Sequence, residues 1–286
     1  RLLLLIIRTC GIIYCGDFME CQEIERSIIK RFRKKLWCRF VRGIEEYDLV
    51  KDKDKIAVCI SGGKDSFLLA KLFQELRRHG RIHFELEFIV MNPGYQEENL
   101  TLIKNNLQKL NIPAHIFESN IFDVVDTYGE NSPCYLCARM RRGALYNKAK
   151  ELGCNKIALG HHFNDIIETI MLNILYAGEY KSMMPKLKSK NFPGLELIRP
   201  MYYIKEEDII AWSKYNGLHF IDCACKLTSR NDNDGKRKEV KKLIEELKKI
   251  NENVDINILR SCENVNLDSI VGYKNGDEKV NFLDKY

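Results

Sequence analysis

A chain of 286 residues with 45% hydrophobic content can bury one large core, which excludes a small scaffold held together by disulfides. Its eleven cysteines are an odd number that cannot all pair, and in such a chain they point to a reduced protein with a thiol or metal site. A net charge of +6 suits many soluble enzymes as well as a nucleic-acid binder, so its distribution along the chain matters more than its size.

Residues 1–18, RLLLLIIRTCGIIYCGDF, read as a leader outside the fold. Arg8 cuts the apolar run short, no small-residue cleavage site follows, and the run cannot span a bilayer. No other stretch reads as transmembrane, and the expected compartment is the cytoplasm. From Glu23 to Tyr47, Ile24, Ile28, Phe32, Leu36, Phe40 and Ile44 recur at helical spacing. Arg26, Lys30, Arg33 and Lys34 fall off that stripe, predicting one amphipathic helix whose basic face is either solvated or a binding surface.

KIAVCIS (55–61) then predicts a strand, followed by a Gly-Gly turn and a helix from Asp65 to His79. Further strands are expected at 84–91, 114–118, 156–160 and 195–201, and helices at 99–110, 137–152, 165–176 and 206–216. Residues 181–193 and 226–235 read as polar loops, and 236–250 as a charged amphipathic helix. Cys59 and Cys154 lie in apolar runs and read as core residues. This alternation predicts an α/β fold with an open, mostly parallel sheet flanked by helices, plus added N- and C-terminal helices. The expected segments are the leader (1–18), a basic helical segment (19–54), the sheet domain (55–222), and a cysteine loop with a helical tail (223–286).

The turn SGGKDS (61–66) is where such a sheet forms a ligand crevice. Gly62 and Gly63 permit a tight turn that exposes N–H groups to an anion, and a helix N-terminus beginning at Asp65 faces the same place. Ser61 and Ser66 offer hydroxyl donors and Lys64 a mobile positive charge, which together make a pyrophosphate cradle. An ordinary glycine turn would need neither the serines nor the lysine and aspartate. LGHHFNDIIET (159–169) follows the fourth strand and reaches the same sheet edge. Asp165 there suits Mg²⁺ coordination or orientation of the reacting group, and His161 and His162 suit donation to phosphates. Asn164 or Asp165 also suits the N-cap of the next helix.

Cys134 and Cys137 stand at x-x spacing where a helix begins, with Arg139, Arg141 and Arg142 just beyond. A helix N-terminus and nearby guanidinium groups both lower a thiol pKa. With Cys223 and Cys225 the pair could complete a four-cysteine zinc site, or three of the four could hold an iron–sulfur cluster with one iron open.

The order of SGGKDS, CYLCARMRRGALY, LGHHFNDIIET and NILYAGEYKSMMPKL resembles the TtcA-like tRNA 2-thiolation enzymes of the PP-loop ATP pyrophosphatase superfamily, over most of residues 19–270. The resemblance implies an adenine nucleotide alpha hydrolase-like fold with ATP held by Ser61, Gly62, Gly63, Lys64, Asp65, Ser66, Met91, Gly160 and His161. Adenine would rest near Val90 and Met91. It implies a 4Fe-4S cluster on Cys134, Cys137 and a third cysteine, with the remaining iron taking the sulfur to be transferred; a persulfide on Cys134 or Cys137 is the alternative. The Cys-x-Cys spacing of Cys223 and Cys225 departs from the Cys-x-x-Cys of many relatives, and Cys225 is preferred as third ligand. Asn164 replaces the first of two aspartates common in the family, leaving the acidic role to Asp165.

The implied activity is ATP- and Mg²⁺-dependent adenylylation of a pyrimidine carbonyl, cytidine in the anticodon loop first, followed by replacement of oxygen with sulfur. Cys134, Cys137, Asp165 and Lys64 would be catalytic. The implied partners are tRNA and a sulfur donor, either cysteine desulfurase-derived sulfur or free sulfide, with a homodimer allowed and no membrane. A nucleotide-binding module, or an amide-forming ligase with structural zinc cysteines, is the alternative.

Overall fold

The computed structural model describes residues 20–119, 121, 122, 124, 133–221 and 232–285. Helix α1 (20–29) leads through a turn into a π-helical segment, Arg33–Trp37, and then α2, Cys38–Glu46. The expected single helix over 23–47 is therefore interrupted, for a geometric reason. A residue advances by about 100° around an α-helix, so apolar residues four apart drift by about 40° per step and about 200° from Ile24 to Ile44. A wider π turn returns the phase, and all six stripe residues are buried.

The sheet follows: β1 (Lys55–Ile60), α3 (Lys64–His79), β2 (Glu85–Asn92), α4 (Glu97–Lys109) and β3 (Ala114–Glu118). Then come α5 (Pro133–Glu151), β4 (Lys156–Ala158), α6 (Phe163–Leu172), β5 (Lys186–Lys188), β6 (Glu196–Ile198) and α7 (Glu206–Tyr215). The spatial order is β3-β2-β1-β4-β6-β5, parallel except for β5, which pairs antiparallel with β6. This is the open, mostly parallel sheet the alternation predicts. Strand β5 lies inside the expected loop 181–193. Its three residues, Lys-Leu-Lys, carry charge at both ends, a common way to blunt a sheet edge.

Helix α3 is buried along Ser66–Leu76. A lysine at its centre, Lys71, is fully buried and donates to Gln74 Oε1 (2.6 Å), the Leu110 carbonyl (2.9 Å) and Glu25. Burial alone would raise the Glu25 carboxyl, but hydrogen bonds from Arg78 and Lys71 hold it below its ordinary value. A buried charge without such partners would be costly.

The chain divides into two compact units, residues 1–165 with 184–235, and residues 166–183 with 236–286. In the second, the Tyr176 hydroxyl donates to Glu239 (2.7 Å) and Arg237 pairs with Glu168 (3.1 Å). Helix α8 runs Asp232–Ile250, so Asp232–Gly235 are helical where a loop was expected; 222–231 lie outside the described residues. Helix α9 (Val254–Ser261) continues the expected helical tail, but a hairpin of β7 (Gly272–Asn275) and β8 (Glu278–Asn281) follows where helix was expected. Among the described residues, no helix is long and apolar enough to cross a membrane.

Candidate active site

Strand order reverses around β1: the chain moves outward through β2 and β3, then returns to place β4 on the other side. Ligand crevices of open α/β sheets form beyond the carboxyl ends of strands at such a reversal. The turn after β1 and the turn after β4 meet there. A cavity of about 280 Å³ is lined by Ser61, Asp65 and Ser66 from the first turn, and by Gly160, His161 and Asp165 from the second. Met91, at the carboxyl end of β2, supplies part of its apolar wall.

The first turn is tied locally. The Ser61 N–H donates to Ser66 Oγ (3.1 Å), and Ser66 Oγ donates to the Gly63 carbonyl (2.8 Å). Gly62 adopts φ +94°, a conformation that favours glycine, whereas Gly63 is extended and caps α3. The first-turn N–H groups of a helix lack intrahelical carbonyl partners, and this end of α3 carries partial positive charge. Lys64 Nζ lies 3.3 Å from Glu206 Oε1 and 3.4 Å from Asp65. Burial raises the Asp65 carboxyl; the charges of His162 and Lys64 act against it, and Asp165 adds to it.

The second turn packs hard against the first. A Cβ at Gly160 would stand 3.2 Å from the Asp65 carbonyl carbon and the Ser66 nitrogen, so only glycine lets the turns approach this closely. Asp165 accepts the His162 N–H (2.9 Å), one half of a capping box at the start of α6. Asn164 caps a different helix from the one expected: its Oδ1 accepts the N–H of Glu206, the first residue of α7. The two histidines separate. His161 lines the cavity, while His162 is only 6% exposed and is not among the lining residues, so of the two histidines expected to meet phosphates only His161 faces that space.

Residues 30–247 match the PP-loop domain family. The chain belongs to it. The chain is 35% identical over 226 residues, 78% of its own length and 87% of the relative's, to a tRNA-cytidine(32) 2-sulfurtransferase of Geobacter sulfurreducens. It is 36% identical over 230 residues, 79% and 90% of the two chains, to a protein of the same name from Geotalea uraniireducens. Among solved structures, the U34-tRNA thiolase NcsA from Methanococcus maripaludis, determined with its 4Fe-4S cluster, shares the fold. Its TM-score is 0.64 at 23% identity, covering 86% of this chain and 78% of that one. The family resemblance drawn from the motifs is borne out.

In this PP-loop chain the Cys-x-x-C helix stands beside the cavity. Cys137 is buried and packed with Met91 and Ile121, and Met91 also lines the cavity. Cys223, Cys225 and the side chain of Cys134 lie outside what the structure describes. Among the described residues no three metal-binding side chains converge. Ile221, the last described residue before that cysteine segment, donates its N–H to the Gly62 carbonyl (3.2 Å), which fixes the chain's entry to it against the phosphate turn. Of the four cysteines only the Cys137 side chain is described; a thiolate there, packed on Met91 beside the cavity, would suit one ligand of an iron–sulfur cluster.

Two residues at or beside the cavity take a place the motif analysis did not give them, which read Arg141 only as a guanidinium near the cysteines and Tyr95 not at all. Arg141 lines the wall, and its Nη2 lies 3.4 Å from the Tyr95 hydroxyl, which donates to the Ser61 carbonyl (3.2 Å). Arg141 was legible: Cys137, Arg141 and Leu145 stand four apart and share one face of α5. Tyr95 has no such spacing. Cys59 is buried as expected, and burial pushes its thiol up to about 12, so its place on the cavity wall is that of an inert apolar group.

Proposed function

We propose that this chain is an ATP-dependent tRNA 2-thiolation enzyme acting in the cytoplasm on a cytidine of the anticodon loop. One observation carries the reading: the cavity at the sheet's reversal point has the phosphate turn and Asp165 on its walls, and Met91 joins it to Cys137. That placement supports a reading in which nucleotide activation and thiol chemistry share one sheet edge. The relatives' names support tRNA cytidine as substrate.

The α3 N-terminus, Ser61 and Ser66 would hold the phosphates of ATP, with adenine against Met91. The O2 atom of the base attacks the α-phosphorus and pyrophosphate leaves. Lys64 would offset the phosphate charge, together with a Mg²⁺ ion that Asp165 would hold. A hydrosulfide sulfur then adds at C2, AMP departs with the former O2, and the thiol proton passes to solvent. A 4Fe-4S cluster on Cys134, Cys137 and Cys225 or Cys223 would supply an iron site for the sulfur atom. The base must be unpaired to enter, which suits a loop. Free sulfide serves as donor directly, or desulfurase-derived persulfide sulfur does so once a thiol reductant releases it as hydrosulfide and is itself oxidised to a disulfide; the homodimer stays part of the proposal.

Anaerobic purification tests the reading. It expects iron and sulfide in the protein, broad absorption at roughly 400 nm, and ATP-dependent 2-thiocytidine in tRNA by mass spectrometry. Zinc as the only metal, with no thiolated nucleoside formed, would sink it and leave the ligase or binding module.

A further inference from the structure

His162 does not fit the role its neighbour takes. It is 6% exposed, and its ring lies between the two carboxylates that begin α3 and α6. Nδ1 stands 3.5 Å from Asp165 Oδ2, and Nε2 stands 3.9 Å from Asp65 Oδ1. The same Asp165 Oδ2 accepts the His162 backbone N–H. Nδ1 is buried with no hydrogen bond of its own. A polar ring atom left in that state is costly, so packing alone gives a poor account of a histidine here; leucine would fill the space without the penalty.

We infer that His162 is a positioning residue for the transfer step, and this rests on the proposed function. Its ring separates two carboxylates that would otherwise face one another across a buried gap. One side of it braces Asp165, and the opposite side braces Asp65. The backbone N–H holds one oxygen of Asp165 and the ring packs 3.5 Å from that same oxygen, so together they restrict how the carboxylate can turn, and Asp165 lines the cavity. The ring thus links the phosphate turn to the second turn. It touches no substrate: the cavity is lined by His161, Asp65 and Asp165, with His162 behind them.

The test compares His162→Leu, which keeps bulk without polarity, with His162→Asn, which keeps a donor near the Nδ1 position. Pyrophosphate release and thiolation are measured on the cluster-loaded enzyme with tRNA, together with ATP affinity by calorimetry and melting temperature. His162→Leu should lower kcat at least roughly 30-fold while KM for ATP moves less than about 3-fold, and His162→Asn should recover much of that loss. Placed in an Asp165→Asn background, His162→Leu should cost less than about 3-fold more, because its effect passes through Asp165. Equal rates for wild type and both variants, or a full multiplicative loss in the Asp165→Asn background, would overturn the inference while leaving the function intact. If His162→Leu fails to fold, His162→Phe takes its place as the apolar variant, and a wild-type kcat in that enzyme overturns the inference as well. A wild type that neither releases pyrophosphate nor thiolates any tRNA would bring down both.

Discussion

The two glycines of the phosphate turn should fail in opposite ways. Gly62 sits at φ +94°, and a Cβ there would meet Ile103 Cδ1 and Ile221 Cδ1 at 3.0 Å. An L-residue in that conformation costs about 1–2 kcal/mol. Forcing two packed isoleucines aside adds about 1–2 kcal/mol more. Gly62→Ala should therefore lose about 2–4 kcal/mol, roughly 3–7 °C in melting temperature for a chain of this size. Gly63 carries no such burden: its backbone is extended, and a Cβ would stand 3.7 Å from the Ile221 carbonyl, an ordinary contact. Gly63→Ala should melt within about 0.5 kcal/mol of wild type. Gly63→Val, however, puts a branch where phosphates approach the backbone and should weaken ATP by at least about tenfold, roughly 1.4 kcal/mol. Thermal denaturation and calorimetry with Mg·ATP separate these outcomes. A Gly62→Ala protein as stable as wild type would refute the conformational argument. A folded Gly63→Val protein with unchanged ATP affinity would refute the placement of the phosphates.

Three further outcomes are expected. Lys30 and Arg33 are exposed on the outer face of the N-terminal helical segment, so replacing either with Ala should lower the salt dependence of tRNA binding by about one unit of log–log slope; binding indifferent to salt would count against a phosphate grip. Cys134→Ala or Cys137→Ala should remove the cluster and thiolation but spare ATP binding, and only one of Cys223→Ala and Cys225→Ala should do the same; four variants that all keep thiolation would make the cysteines structural. Burial raises the Asp65 carboxyl above its ordinary 3.8, so the folded state holds that proton more tightly and loses stability as pH climbs from 3.8 through the folded value. Asp65→Asn should then be more stable than wild type in urea at neutral pH and indistinguishable below that window; no gain at neutral pH would refute it.

Much of the sheet was legible because its signals are local. KIAVCIS and AHIFE are β-branched or alternating runs bounded by turn residues, and both became strands within a residue of their expected ends. What escaped depended on phase or on pairing. The Ile24–Ile44 stripe repeats every four residues, a period that fits neither a straight α-helix nor a heptad, and that mismatch is itself the mark of the π turn. The C-terminal hairpin announces itself only in Asn275-Gly276, with Gly276 at φ +63°, between strands too short and exposed to show a pattern. Strand β5 exists because β6 offers an edge, and no property of Lys-Leu-Lys alone says so.

The site divides along the same line. Ser61–Ser66 and Gly160–Asp165 follow strands directly, so each could be assigned to the sheet edge from its own neighbourhood. His161 and His162 share that neighbourhood and could not be told apart by it. Their separation comes from the tight contact of Gly160 with the Asp65–Ser66 backbone, which presses the second turn onto the first and leaves a gap of one ring's width behind the cavity. A larger residue at 160 would open that gap. Gly160→Ala should therefore disturb the Asp65–His162–Asp165 alignment and lower kcat while the nucleotide's apolar wall, formed by Met91 and Leu145, keeps much of its ATP affinity. If Gly160→Ala instead abolished ATP binding and left kcat at saturation unchanged, the close approach of the two turns would serve the cradle alone, and not the alignment behind it.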